Sequence, residues 1–192
     1  MWAWGSNIDG QLGDGTNENR NSPVRVMDNV TAISAGTWHS VAVRNDGSLW
    51  AWGVNNRGML GDGNPEAGSS NVPVQVLIDN VVTASAGTRS TFAITTDGQL
   101  WSWGDSIGAL GRQVLLTEDE PAPYYIPTAI ISDVVSVSVS LEHVLAIRND
   151  GSLWAWGSFS QAQIGDGSSP GLTGINVQSF PTQILSEVKM PN

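Results

Sequence analysis

Few residues in this chain are equipped for chemistry. Its 192 residues hold two His, no Cys, one Lys and seven Arg against 18 acidic side chains. Without Cys, a disulfide, a thiolate metal site and a catalytic thiol are all excluded. His39 and His143 are followed by Ser40 and Val144 and lie at no metal-ligand spacing. A ligand or general-base role would need carboxylates or further ligands converging on the imidazole, so both are read as structural. Asp14-Gly15, Asp62-Gly63 and Asp166-Gly167, with Asp46, Asp97 and Asp150, could suggest calcium loops. Calcium needs several oxygens from alternating acidic residues, and these pairs are read as turns instead. No G-x-x-x-x-G-K-[ST] phosphate loop and no supported Ser/His/Asp triad occurs. Asn29-Val30-Thr31 matches a glycosylation acceptor, a motif common by chance. The expectation is a protein with no catalytic residue, no metal and no cofactor.

What the chain has in abundance is Trp, nine of them, and eight fall in one repeated strand. Trp2-Ala3-Trp4-Gly5 returns with its first Trp at 50, 101 and 154. Around it a longer unit recurs in fixed order. Leu12-Gly13-Asp14-Gly15 follows, then a Pro-led strand from Pro23, then small residues such as Ser34-Ala35-Gly36, then Asn45-Asp46-Gly47 before the next Trp pair. Self-similarity at a period near 50 residues marks a repeat architecture.

The unit reads as four short strands. Asn-Asp-Gly between Val41-Ala42-Val43 and Leu49-Trp50-Ala51-Trp52 is a hairpin signal, because Gly supplies the positive φ of a tight turn. Alternation puts both indoles on one face of the strand and Ala51 on the other. Neither face is polar, so both must be covered. Radial stacking of similar sheets does this, with the Trp face of one against the small-residue face of the next. The fold class expected is all-β: a propeller of four-stranded antiparallel blades, incomplete, with about 3.5 repeats in an open arc. Trp2, Trp4, Trp50, Trp52, Trp101, Trp103, Trp154 and Trp156 form its expected core. Units are placed at about 1–29, 30–80, 81–133 and 134–186, with a further one starting at 187–192.

Charge narrows the partners. A net charge of −10 disfavours DNA, RNA and anionic bilayers, which are held by clustered cations. No apolar run approaches the ~20 residues of a membrane helix, and no signal peptide is visible. Neither nucleic acid nor membrane is expected as a partner, and no compartment is chosen.

The run His39-Ser40-Val41-Ala42-Val43, Asp46-Gly47, Trp52-Gly53, Gly58, Leu60-Gly61 and Pro73-Val74 resembles one repeat of the regulator of chromosome condensation family. The resemblance extends from residue 1 to about 188. It implies seven-bladed propellers, among which are a nuclear exchange factor for a Ras-like GTPase, a plant ultraviolet-B photoreceptor, a secreted β-lactamase inhibitor and many bacterial surface proteins. Because the chain opens on a Trp strand and stops inside a unit, it is expected to be a fragment or truncated frame of a larger, bacterial protein. Self-association through its open ends is one expectation.

Photoreception would need clustered Trp in a Gly-Trp-Arg-His-Thr motif. Gly36-Thr37-Trp38-His39-Ser40 comes near, but the equivalents of Trp38 in later units are Arg89 and Glu142. Exchange would need a β-wedge insertion that the inserts here do not resemble. What remains is recognition of a protein. Trp38, Arg89 and Glu142 vary at one position of an otherwise fixed loop, and Tyr124 and Tyr125 lie on the longest insert. Aromatic and Arg anchors dominate interfaces, and these five are the candidate contacts. Trp38 could equally plug the mouth of the arc. A non-enzymatic interaction scaffold is the reading preferred, with guanine-nucleotide exchange and secreted enzyme inhibition as alternatives.

Overall fold

A computed structural model describes residues 1–65, 68–105, 109–112, 125–141, 143–158, 162–167 and 177–188. Glu142 and Tyr124 lie outside the described residues. The fold is all-β, an open arc of propeller blades, with one two-stranded sheet and three four-stranded ones among the described residues. The first pairs β1 (Trp2–Gly5) with β2 (Arg20–Arg25). The second runs β3 (Val30–Ala35), β4 (His39–Arg44), β5 (Leu49–Gly53) and β6 (Ser70–Gln75) in that spatial order. The third does the same with β7 (Val81–Ala86), β8 (Ser90–Thr95), β9 (Leu100–Gly104) and β10 (Thr128–Ile131). The fourth holds β11 (Val134–Val139), β12 (His143–Arg148), β13 (Leu153–Ser158) and β14 (Val177–Leu185). Each sheet is an antiparallel meander.

Local chemistry explains the repetition. Between β4 and β5, Gly47 takes φ +79, and the Asp46 carboxylate accepts from Ser48 N at 3.0 Å. Gly98 and Gly151 stand at φ +78 and +79 in the equivalent turns, with Asp97 and Asp150 accepting from Gln99 N and Ser152 N. These carboxylates cap turns, which meets the reading of the Asp-Gly pairs. The Pro-led strands begin earlier than their Pro: Pro23, Pro73 and Pro181 fall inside β2, β6 and β14. These are the outermost strands, where a residue without N–H costs no ladder bond.

The core lies between sheets rather than within them. Val41, Val43, Leu49, Ala51 and Leu60 of the second unit meet Val81, Ala86, Ala93 and Trp103 of the third. Phe92, Ile94, Leu100 and Ala109 then meet Val134, Val144, Ala146 and Trp156 of the fourth. Large rings against Ala and Val give the interlocking that a stacked joint requires.

The expected core of eight Trp needs correction. Trp52, Trp103 and Trp156 are buried, but Trp50, Trp101 and Trp154 are half-buried. Their indole N–H groups donate to hydroxyls of their own blade: Ser48, Thr95 and Ser152. Trp2 and Trp4 are 59% and 62% exposed. The cause is geometric, since the second indole of a pair is covered by the preceding blade and β1 has no such blade among the described residues.

Candidate functional site

The inner strands β3, β7 and β11 contact one another from sheet to sheet, and the loops that follow them share one end of the arc. Residues 35–37, 86–88 and 139–141 line an open groove of about 340 Å³, three equivalent residues from each of three units. Glycine permits the loops to approach. A Cβ on Gly36 would lie 2.4 Å from Gly87 O, and one on Gly87 would lie 2.8 Å from Val139 Cγ1. Thr37 N donates to Gly87 O at 3.3 Å, which ties neighbouring loops together. The fourth unit carries Ser140 where the second and third carry Gly, and its loop ends in the exposed Leu141.

Trp38 and Arg89 follow directly on these loops at equivalent positions of adjacent blades. Their backbones are held while their side chains are free to differ. Trp38 O accepts from Val54 N at 2.9 Å, and Arg89 O accepts from Asp105 N at 2.8 Å. A Cβ on Gly53 or Gly104 would come within 2.5 or 2.3 Å of those same carbonyls. So Gly53 and Gly104, which end two of the Trp-x-Trp-Gly strands, leave room for the rim carbonyls to approach. Trp38 is 44% exposed and Arg89 is exposed. An aromatic ring and a cation are thus presented on a fixed backbone beside a groove.

Tyr125 belongs to a different place. It sits in the β9–β10 connection, which antiparallel alternation puts at the same end as the rim but beside the outermost strand. It is half-buried, and its carbonyl accepts from Gly63 N at 3.0 Å. The structure therefore brings together Trp38 and Arg89, with Tyr125 peripheral to them.

Beneath the rim lies His39, wholly buried. Its Nε2 lies 2.8 Å from Thr91 Oγ1, and that hydroxyl donates to Met59 O at 2.9 Å. A hydroxyl has one proton, so the imidazole must be the donor and carries its proton on Nε2. Nδ1 is buried with no partner among the described residues. Burial pushes the imidazole from its ordinary 6.5 down to about 4, so it is neutral at pH 7 and serves as a joint. Among the described residues no cluster of His and acidic groups could hold a metal.

Sequence reasoning passed over Asn7 and Asn55. Both are fully buried at the same place in the unit, three residues after the second Trp. Their Oδ1 atoms accept from Leu12 N and Leu60 N at 2.9 and 3.0 Å, and their Nδ2 groups reach Asp14 and Asp62. They order the Leu-Gly-Asp-Gly loops. The signal was present as Gly-x-Asn after each of the first two Trp pairs.

With blades, joints and rim in place, comparison with known proteins defines the class. Models of the regulator of chromosome condensation (RCC1) repeat match residues 1–43 and 46–94, and a second such model matches 30–58 and 134–163. The chain belongs to the RCC1 repeat family. It is 33% identical over 163 residues to the mouse protein Regulator of chromosome condensation, covering 81% of this chain and 38% of that protein. It is 30% identical over 175 residues to the Arabidopsis thaliana ultraviolet-B receptor UVR8, covering 88% and 39%. Human WBSCR16 superposes with a TM-score of 0.80 at 23% identity, covering 96% of this chain and 48% of that one. Yeast RCC1 (Prp20) bound to Kap60 gives 0.78 at 23%, covering 96% and 44%. The chain spans about two fifths of the length of the curated relatives it matches.

Proposed function

We propose that this chain is a non-enzymatic protein-interaction scaffold whose contact surface is the rim formed by Trp38 and Arg89. The observation that carries this reading is the contrast between backbone and side chain at the two positions. Each carbonyl accepts a backbone bond from the residue that follows β5 or β9, while the side chain is exposed and differs in type from blade to blade. A preorganised Trp or Arg loses little entropy on binding, and these types dominate interface energetics. Relatives support a protein partner. Yeast Prp20 has been crystallised bound to Kap60, and its binding properties to Gsp1p and histones have been described with its structure.

Affinity capture with the full chain and with a Trp38→Ala, Arg89→Ala double variant tests the proposal. Proteins retained by the parent chain and lost by the variant, at unchanged melting temperature, are expected. Equal retention by both would remove the rim as the contact surface. Guanine-nucleotide exchange is the competing reading, and similarity to Regulator of chromosome condensation favours it. A nucleotide-release assay on a panel of small GTPases separates the two. Accelerated release that depends on Trp38 or Arg89 would replace the scaffold reading with the exchange reading.

A further inference from the structure

Arginine in this chain usually has a carboxylate beside it. Arg20 holds Asp14 at 2.6 Å, Arg25 holds Asp28 at 2.5 Å and Arg148 holds Asp133 at 2.8 Å. Arg57 holds Asp105 at 3.2 Å, and Arg44 lies 4.0 Å from Asp46. Arg89 departs from this pattern. Its side chain is exposed and makes no ion pair or hydrogen bond among the described residues. The carboxylate tied most directly to its loop is that of Asp105, whose N–H donates to Arg89 O. Arg57 of the preceding blade already holds that carboxylate.

A second unused group lies next to it. Thr37 N–H crosses from its loop to Gly87 O of the next blade at 3.3 Å. The equivalent donor one blade on, Thr88 N–H, makes no hydrogen bond among the described residues. A side-chain difference accounts for this. Val139 stands where the second and third units carry Ala35 and Ala86. Its Cγ1 is the nearest atom to a Cβ on Gly87, whereas for Gly36 the nearest atom is Gly87 O. Val139 thus fills the space through which the fourth loop would close on the third. Repeat geometry aims Thr88 N–H toward that loop, and both loops line the groove. Thr37 Oγ1 and Thr88 Oγ1 lie 3.3 Å apart, so the residues that precede Trp38 and Arg89 touch. One extended segment of a partner can therefore reach the indole and the guanidinium together.

We propose that the rim takes an extended peptide segment with a single acidic side chain, its carboxylate on Arg89 and Thr88 N–H, and a nearby apolar side chain on Trp38. This names the partner of the rim and so rests on the scaffold reading above. Charge selects the acid. A guanidinium holds a carboxylate through two parallel N–H···O bonds, each stronger than a neutral one. One guanidinium and one amide match one negative charge. A phosphate group carries nearly two, and a nucleic acid needs clustered cations. A long acidic tract would be opposed by the charge of −10 on the chain. The chemistry that fits is one acid set among apolar residues.

Phage-displayed random linear peptides, selected on the full chain and counter-selected on the Trp38→Ala, Arg89→Ala double variant, test it. Rim-dependent peptides are expected to share one Asp or Glu within a few residues of an apolar side chain. Fluorescence polarisation with an enriched peptide then measures the acid. Replacing it by its amide is expected to weaken binding about tenfold or more. Arg89→Ala is expected to weaken the acidic peptide equally and to leave the amide peptide unaffected. Arg89→Glu is expected to reverse the preference, favouring Lys at the acidic position. Both rim side chains are exposed, so these variants are expected to melt with the parent. Rim-dependent peptides without an acid, or equal binding of acid and amide, would overturn the proposal while keeping the rim as a contact surface. Tighter binding of a phosphoserine version would overturn the choice of carboxylate. A selection that yields no rim-dependent peptide would also overturn it, and affinity capture would then decide the scaffold reading separately.

Discussion

His39 Nε2 and Thr91 Oγ1 lie 2.8 Å apart across the joint between the second and third sheets, and the bond fixes the imidazole as neutral. Protonation at Nδ1 would place a charge where burial leaves it no partner. The folded chain therefore binds this proton near pH 4, the unfolded chain near 6.5. Between those values the unfolded state holds more protons, so stability falls as pH drops through this window. Roughly 3 kcal/mol is expected to be lost by pH 4. Urea titrations of the parent and of His39→Gln across the range check this. The Gln variant is expected to lack the His39 contribution, and parallel pH profiles for the two proteins would refute it.

Gly61 and Gly15 both take positive φ, at +64 and +82, but face different surroundings. A Cβ on Gly61 would sit 2.6 Å from Trp103 Nε1, whereas on Gly15 its nearest neighbour is Val72 Cγ1 at 3.9 Å. Gly15→Ala is expected to cost the backbone strain alone, about 1 kcal/mol. Gly61→Ala must also displace a buried indole and lose its hydrogen bond to Met59 O, so about 3 kcal/mol or more is expected. Chemical denaturation of the two variants measures the difference, and equal costs would show that the joint yields to the added methyl.

The architecture was legible in the sequence because each blade repeats the same physical solution. The spacing of the Trp pairs, the Asp-Gly turns and the strand faces apolar on both sides all demanded stacked sheets. What periodicity could not show was which indole of a pair crosses the joint. Trp52 and Trp50 share one face of β5, yet Trp52 reaches the preceding blade's Gln11 carbonyl and Trp50 returns to its own Ser48. Nor could it show that Trp4 would be exposed, since exposure depends on what covers a strand and not on the strand. The rim was legible in part: Trp38 and Arg89 were singled out by their variation within a constant frame. Their backbone anchors, Val54 and Asp105, carry no sequence signal because only the N–H is used.

Asn7 shows how a loop is held by one buried side chain. Its Oδ1 accepts from Leu12 N, and its Nδ2 bonds Asp14 Oδ1 and Thr16 O. Asn7→Leu removes the partner of the buried Leu12 N–H and of Thr16 O, while Asp14 Oδ1 keeps its bonds from Thr16, and about 2–3 kcal/mol of stability is expected to be lost. Asp14 adds an acid-sensitive element. Burial alone would raise its carboxyl, but hydrogen bonds from Thr16 and Arg20 outweigh this and bring it from 3.8 to about 2. The carboxylate therefore contributes stability that is present above pH 3.8 and lost as pH falls toward 2. Asp14→Asn is expected to flatten that part of the acid-unfolding curve, which far-ultraviolet circular dichroism can follow.

Trp38 and Arg89 offer the converse case, exposed side chains on a fixed backbone. Each carbonyl, rather than the side chain, makes the bond to the residue that follows β5 or β9. Truncation to Ala should therefore leave the loop in place, and each change is expected to alter stability by less than about 0.5 kcal/mol. Changing the supporting glycines should do the opposite. Gly53→Ala would drive a Cβ to 2.5 Å from Trp38 O, and Gly104→Ala would drive one to 2.3 Å from Arg89 O. Both are expected to destabilise by 2 kcal/mol or more, roughly the cost of strain plus a broken backbone bond. If the rim is a contact surface, partner binding should fall with Trp38→Ala and Arg89→Ala at constant stability. It should fall with Gly53→Ala and Gly104→Ala too, but there in step with lost order. Thermal melts and binding measured on the same four variants decide the matter. Binding that tracked stability alone across all four would leave the rim with a structural role only.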